Sequence, residues 1–145
     1  MIRDLVNIKL DAQALRYMTI FEAATNVAPK DCIEYEEVIY FVVYPGTIRK
    51  VLENNGEKVQ RLRKILNKNV AVVEYSPNPK RFIKNLFHRY TVRKIELDKK
   101  NGEFWAKVYI DPKDKAKAIG KEGKNLKRVK EIARRHHPIA NIIII

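Results

Sequence analysis

The chain has 145 residues, 46% of them apolar and 32% charged, so a buried core is within reach and wholesale disorder is excluded. Its net charge of +13 points to a polyanionic partner, either nucleic acid or an anionic membrane surface. No apolar run approaches the roughly 18 residues of a membrane span, the start at Met1–Asp4 lacks a secretory signal, and one cysteine, Cys32, makes neither an internal disulfide nor a zinc site. A cytoplasmic protein is expected.

In chain order, Asp11 is placed to cap a helix running to about Thr25, with Leu15, Met18, Phe21 and Ala24 on one apolar face. Cys32–Glu36 and Val38–Val43 are rich in β-branched and aromatic residues and predict strands. Pro45 is expected to open a helix to about Leu52. A second helix starts near Glu57 and carries Val59, Leu62, Ile65 and Leu66 on one side; Val70–Tyr75 closes the set as a strand.

Ser76-Pro77-Asn78-Pro79 is the strongest breaker in the chain and predicts a short, stiff boundary between two units, 1–76 and 77–145. The element order then repeats. A helix is expected over Lys80–Phe87, then strands at Thr91–Leu97 and Glu103–Ile110. They are joined through Lys99-Lys100-Asn101-Gly102, where Asn-Gly is a hairpin signal. Asp111 caps the next helix with Pro112 at its first position and Asp114 in its first turn. A helix from Lys124 to about Arg135 and a strand over Ile139–Ile145 complete the second unit.

The two units align without a gap at an offset of 67 residues from Phe41 to Leu66. Phe41 falls on Val108, Pro45 on Pro112, Val51 on Ala118, Gly56 on Gly123, Val59 on Leu126, Arg61 on Arg128 and Ile65 on Ile132. Helical periodicity alone accounts for apolar matches, but not for a matched proline, glycine and arginine together. A duplicated α-β-β-α-α-β unit of about 70 residues follows, an α+β fold with helices on one face of a three-stranded sheet. The charge is unequally shared: residues 1–76 carry a net +1 and residues 77–145 a net +12, with His88, His136 and His137 all in the second unit. A merely solvated surface would spread that excess along the chain.

Between its last two helices the second unit reads Ile119-Gly120-Lys121-Glu122-Gly123-Lys124-Asn125-Leu126, crowded by Lys113, Lys115, Lys117, Lys127 and Arg128. A Gly-x-x-Gly turn alone also serves as a plain helix C-cap. In this context the segment Asp111–Arg128, together with Val73–Ser76 and Arg81–Leu86, resembles a type II KH domain, and two in tandem over the whole chain resemble the archaeal NusA-like transcription factors. The resemblance implies binding of single-stranded RNA, a nascent transcript near RNA polymerase, with regulation of termination or antitermination. Bacterial relatives carry further domains for which this length leaves no room, so polymerase contact would fall to the KH pair or another factor. A monomer is expected, with no membrane contact.

The physics of the loop agrees with that implication. Glycines let the backbone turn tightly and approach a sugar–phosphate chain. The unpaired amides at the following helix start present the positive end of its dipole. Such a loop in KH domains clamps about four backbone nucleotides. The expected contacts are Gly120, Lys121, Glu122, Gly123, Lys117, Lys124, Lys127 and Arg128, with Ile119, Leu126 and the strand near Val108 flooring a groove for bases. In the first unit the aligned segment is Glu53-Asn54-Asn55-Gly56, where Glu53 replaces the first glycine. Asn54, Asn55, Gly56, Lys58 and Arg61 are therefore candidates for a weaker or altered contact, a degenerate copy of the loop.

Other features read more plainly. Glu34, Glu36 and Glu37 are expected to be solvated at a strand end, and His136-His137 stand at a helix C-terminus with no zinc partners. Trp105 and Tyr109 share one strand face and are expected in the core, Cys32 as a small buried residue. Ile142–Ile145 needs burial on both faces or a partner. No nucleophile–base pair, P-loop or dinucleotide fingerprint is present, so neither enzymatic activity nor a cofactor or metal is expected. The alternative functions are a basic scaffold docking on an acidic protein and a KH protein acting on RNA outside transcription.

Overall fold

The computed structural model describes residues 11–145, and the chain divides into two compact units between Ser76 and Pro77. In the first unit, α1 (Ala12–Thr25) leads into β1 (Pro29–Tyr35), β2 (Val38–Val43), α2 (Ile48–Leu66) and β3 (Asn69–Glu74). The helix α2 is broken at Glu53–Gly56, so the unit has the order α-β-β-α-α-β. Central β2 pairs antiparallel with β1 and parallel with β3.

Asp11 caps α1 through a 2.7 Å bond from the Ala14 amide, and Asn26 closes it in the left-handed conformation that Asn enters more readily than most residues. The buried face of α1 is Tyr17, Phe21 and Thr25. Leu15, expected on that face, is exposed: it stands a third of a turn from Phe21, and the stripe is centred on the Phe21 ring, stacked on Phe41 at 4.4 Å. Full burial of a side chain of this size contributes about 1.5–3 kcal/mol over exposure. Ile39, Phe41 and Val43 alternate along β2 into the same core, joined by Val51, Val59 and Leu62 of α2.

Several boundaries move, among them the end of the Thr91–Leu97 strand, which runs on to Lys100. Strand β1 starts at Pro29 rather than Cys32, and Glu36 is a left-handed turn residue, not part of the strand. Pro45 opens no helix; it lies in a turn closed by Thr47, whose amide and hydroxyl both reach the Tyr44 carbonyl, and α2 begins at Ile48. Of the predicted face Val59, Leu62, Ile65 and Leu66, the first two lie in the core and Leu66 packs against it, whereas Ile65, aligned with buried Ile132, is 59% exposed.

The second unit runs α3 (Pro79–Leu86), β4 (Val92–Lys100), β5 (Glu103–Ile110), α4 (Pro112–Ile119), a single tight turn at Lys121–Gly123, α5 (Lys124–His136) and β6 (Ile139–Ile144). Its sheet has β5 in the centre, antiparallel to β4 and parallel to β6, the same plan as the first. Asn101 (φ 54°) and Gly102 (φ 78°) both take positive φ, as the right-handed twist of a two-residue hairpin requires. Phe82, Ile83 and Leu86 turn inward from α3, and Val129, Ile132 and Ala133 from α5, over Ile95, Ala106, Val108 and Ile142 of the sheet.

Trp105 is not in the core. The register places it beside Asp98 and Asn141 on the face that carries Lys107 and Tyr109, opposite Ala106 and Val108, and it is 48% exposed. Tyr109 on the same face donates from its hydroxyl to Glu96 (2.6 Å) and lies under the Lys94 ammonium. The terminal isoleucines divide likewise: Ile142 is fully buried, whereas Ile143 and Ile145 are exposed, so burial on both faces does not occur. Near the start of β6 the Arg134 guanidinium donates to the Ile139 and Ala140 carbonyls. Glu34 accepts from Tyr17 and Lys68, so it is engaged rather than simply solvated. Among the described residues no group of three His, Cys, Asp or Glu is placed to hold a metal, and no helix is long and apolar enough to cross a membrane.

Candidate nucleic-acid interface

The loop of the second unit hangs between two anchored helices. At the start of α4 the Asp111 carboxylate accepts from the Lys113 amide and from Arg93 (3.0 Å), and these bonds hold its pKa below the usual carboxylate value. Asp114 accepts from the Thr91 amide at 2.8 Å, and the Asp111 amide donates to the Thr91 carbonyl, so α4 is tied to the start of β4 at two points. Ala118, fully buried, docks the far end of α4.

Gly120 ends α4 by donating to the Ala116 carbonyl, and Gly123 closes the turn back onto the Gly120 carbonyl at 3.0 Å. The two glycines are needed for different reasons. Gly120 has φ 80° and ψ 168°, a region open only to glycine, and a Cβ there would lie 2.8 Å from the Asn125 amide nitrogen. Gly123 has φ 73° with nothing within 4 Å of its would-be Cβ, so its outer side is open. The close approach expected at a phosphate is thus made internally at Gly120, and the space for a ligand is beside Gly123.

Lys121 and Glu122 are exposed at the tip, Lys117, Lys124 and Lys127 are exposed around it, and Arg128 is half-buried. Among the described residues none of Lys117, Lys121 and Lys127 is paired with an acid. No side chain caps α5; the Lys124 amide closes onto the Lys121 carbonyl, and the amides after it, with the dipole behind them, open among the surrounding lysines. Ile119 and Leu126 are half-buried beside the loop and offer apolar surface; Val108, expected to share that floor, is wholly buried in the core and does not. The His136 and His137 rings pack at 5.5 Å on Phe82, which gives them a role in the core.

Asn125 belongs to the site and the sequence reading did not single it out. Its side-chain amide donates to the Ala118 carbonyl at 2.7 Å, fastening α5 back onto the last turn of α4. Replacing Asn125 with Ala leaves that carbonyl without its side-chain donor, and stability falls by about 1 kcal/mol; thermal unfolding reads the loss. The Gly120–Gly123 turn is then no longer fastened from the α5 side.

The first unit builds a different loop. Glu53 is extended, and Asn54, Asn55 and Gly56 are all left-handed, at φ 55°, 58° and 74°. Lys58, aligned with Asn125 at the 67-residue offset, makes the corresponding fastening: its ammonium donates to the Lys50 carbonyl (3.2 Å), the Thr25 carbonyl (3.3 Å) and the Glu53 carboxylate (2.7 Å). The bond from Lys58 holds the Glu53 pKa below its ordinary value. Lys58 was a candidate RNA contact, and the structure spends its donors inside the unit. Arg61 is exposed but paired with Glu57 at 3.0 Å. Asn54 and Asn55 are exposed at the tip, with no cation of the kind Lys121 supplies.

Comparison with known proteins places this arrangement. Residues 79–141 match the family described as the NusA-like second KH domain. A Thermoplasma acidophilum protein called "Probable transcription termination protein NusA" is 31% identical over 137 residues, which cover 94% of this chain and 95% of the relative. The chain belongs to the NusA family. A second NusA, from Methanocaldococcus jannaschii, is 28% identical over 97% of this chain and 77% of its own length. A crystal structure of a protein called APE1850 superposes with a TM-score of 0.77 at 31% identity, covering 94% of this chain and all of that one. Both units are KH domains of the type II order, and the NusA loop that keeps both glycines is the one in the second.

Proposed function

We propose that this NusA-family chain binds single-stranded RNA and regulates transcription termination, with the second KH unit as the clamp. The observation that carries the reading is the Gly120–Gly123 turn, anchored on both sides, with no side-chain cap on α5 and with Lys117, Lys121 and Lys127 around it, which among the described residues have no acidic partner. Phosphates of the strand lie against the α5 amides and the lysines, and bases fall towards Ile119 and Leu126. The names of the Thermoplasma and Methanocaldococcus relatives support the termination role. The RNA is a nascent transcript in the cytoplasm, and the chain acts by binding alongside the transcription machinery rather than by catalysis. The first unit contributes a weaker contact or none.

The test is binding to short unstructured RNA while salt is raised. Each phosphate neutralised on a single strand contributes a slope of about −0.7 in log K against log salt, so a clamp on about four nucleotides gives a slope between about −2 and −3. An absence of binding to any RNA at low salt overturns the reading.

A further inference from the structure

A second basic surface stands at the other end of α5 from the loop. Between Tyr75 and Ile95 the sequence contains six Lys or Arg residues and no Asp or Glu. The eight-residue helix α3 lies inside that stretch and separates its faces cleanly. Phe82, Ile83 and Leu86 are buried, while Lys80, Arg81 and Lys84 are exposed on the opposite side, and His88 and Arg89 extend the exposed strip past the helix end.

This face is poorly arranged for a surface that meets only water. Lys80 and Arg81 occupy the first helical turn, where the dipole disfavours positive charge, and that turn has no acid. Lys80 and Lys84 stand at i,i+4, where like charges repel. The second half of α2 shows the ordinary alternative, with Glu57 in its opening turn paired to Arg61. Among the described residues Lys80, Arg81, Lys84 and Arg89 form no ion pair; Lys80 adds only a small pull on Glu96. An external anion removes all of these local conflicts at once, and local conflicts of this kind gather at functional surfaces.

The position fits a continuing strand. Phe82 packs on His136 and His137, so α3 sits at the C-terminal end of α5, whereas the loop is at its N-terminal end. Thirteen helical residues separate the two, about 20 Å at about 1.5 Å per residue. We infer that the exposed face of α3 is a second phosphate-binding track, taking the backbone of single-stranded RNA that runs outside the loop clamp. The inference rests on the RNA reading of the loop.

The experiment uses the full chain and two unstructured RNAs, one of about four nucleotides, the reach of the clamp, and one several times longer. In the variant Lys80→Gln, Arg81→Gln, Lys84→Gln, glutamine keeps helix propensity and removes the repulsion, so the unfolding temperature is unchanged or higher. The wild type binds the long RNA more tightly and with the steeper salt slope. The variant binds the short RNA as the wild type does, loses at least tenfold on the long one, and its slope there is shallower by about 2, at about 0.7 per phosphate. If the triple change disturbs α3, Lys84→Gln alone gives a change of about 0.7. Wild-type affinity and slope for the long RNA in a folded variant overturn the track and leave the clamp standing. Loss of polyglutamate binding with long-RNA binding unchanged overturns it in favour of an acidic protein. Failure of the wild type to bind either RNA overturns both readings.

Discussion

Changing Lys121 and Glu122 together to aspartate removes most RNA binding and leaves the fold intact. Both side chains are exposed at the tip of the loop, and neither supports a buried neighbour. Glu122 sits at φ 56°, a left-handed position that aspartate enters more easily than glutamate. The charge at the tip falls by two. A charge-assisted contact between a lysine and a phosphate is worth about 1.5–3 kcal/mol, and aspartate at position 121 would replace it with repulsion. At about 1.4 kcal/mol per factor of ten, affinity for short RNA drops by well over tenfold. The matching change of Asn54 and Asn55 in the first unit costs less than about threefold on the same scale, since Glu53 is already negative there and Lys58 is engaged. Titration of both double variants with one RNA gives the comparison; equal losses refute the asymmetry between the units.

That asymmetry was legible in the sequence because it is written in residue types with strong local rules. Asp111-Pro112 fixes a helix start, Asn101-Gly102 fixes a hairpin, and two glycines around a short turn fix the loop; each acts within a few residues and needs no tertiary information. The 67-residue repeat added the pairing of the units. What escaped depends on contacts distant in sequence. Tyr17 rather than Leu15 turns inward on α1 because a tyrosine can bury its ring and still bring its hydroxyl to Glu34. Trp105 looks like a core residue by type, yet its register on β5 puts it outside. Lys58 reads as a surface cation, but one of its three acceptors is the Thr25 carbonyl, 33 residues away. Nothing in its local pattern says so, although alignment with Asn125 gives the only sequence hint that this position fastens the loop to the helix before it.

The two glycines of the loop respond unequally to alanine. At Gly120 a Cβ would meet the Asn125 amide nitrogen at 2.8 Å and the Asn125 Cβ at 2.9 Å, both held by α5. The backbone must also leave φ 80°, ψ 168°, a conformation whose strain in other residues is about 1–3 kcal/mol. At Gly123 there is no neighbour to meet, and the cost is that of a left-handed residue, about 1–2 kcal/mol. Gly120→Ala is therefore the more destabilising, by an unfolding temperature several degrees lower in a domain of this size. The same contact changes what Gly120→Glu reports. Glu53 in the first unit is comfortable because its backbone is extended at φ −61°; glutamate at position 120 inherits the clash instead, so it breaks the α4–α5 junction rather than reproducing the first unit's loop. RNA binding separates the two alanine variants from a pure stability effect. Well below either unfolding transition, Gly123→Ala loses affinity because its Cβ projects into the space beside the uncapped amides of α5, while Gly120→Ala loses it because those amides have moved. Amide exchange distinguishes them: protection at Arg128 and Val129, whose amides bond back to the first residues of α5, falls in Gly120→Ala and is retained in Gly123→Ala. Equal exchange in the two variants would mean that Gly120 is required only for its torsion angles and that its approach to Asn125 is incidental.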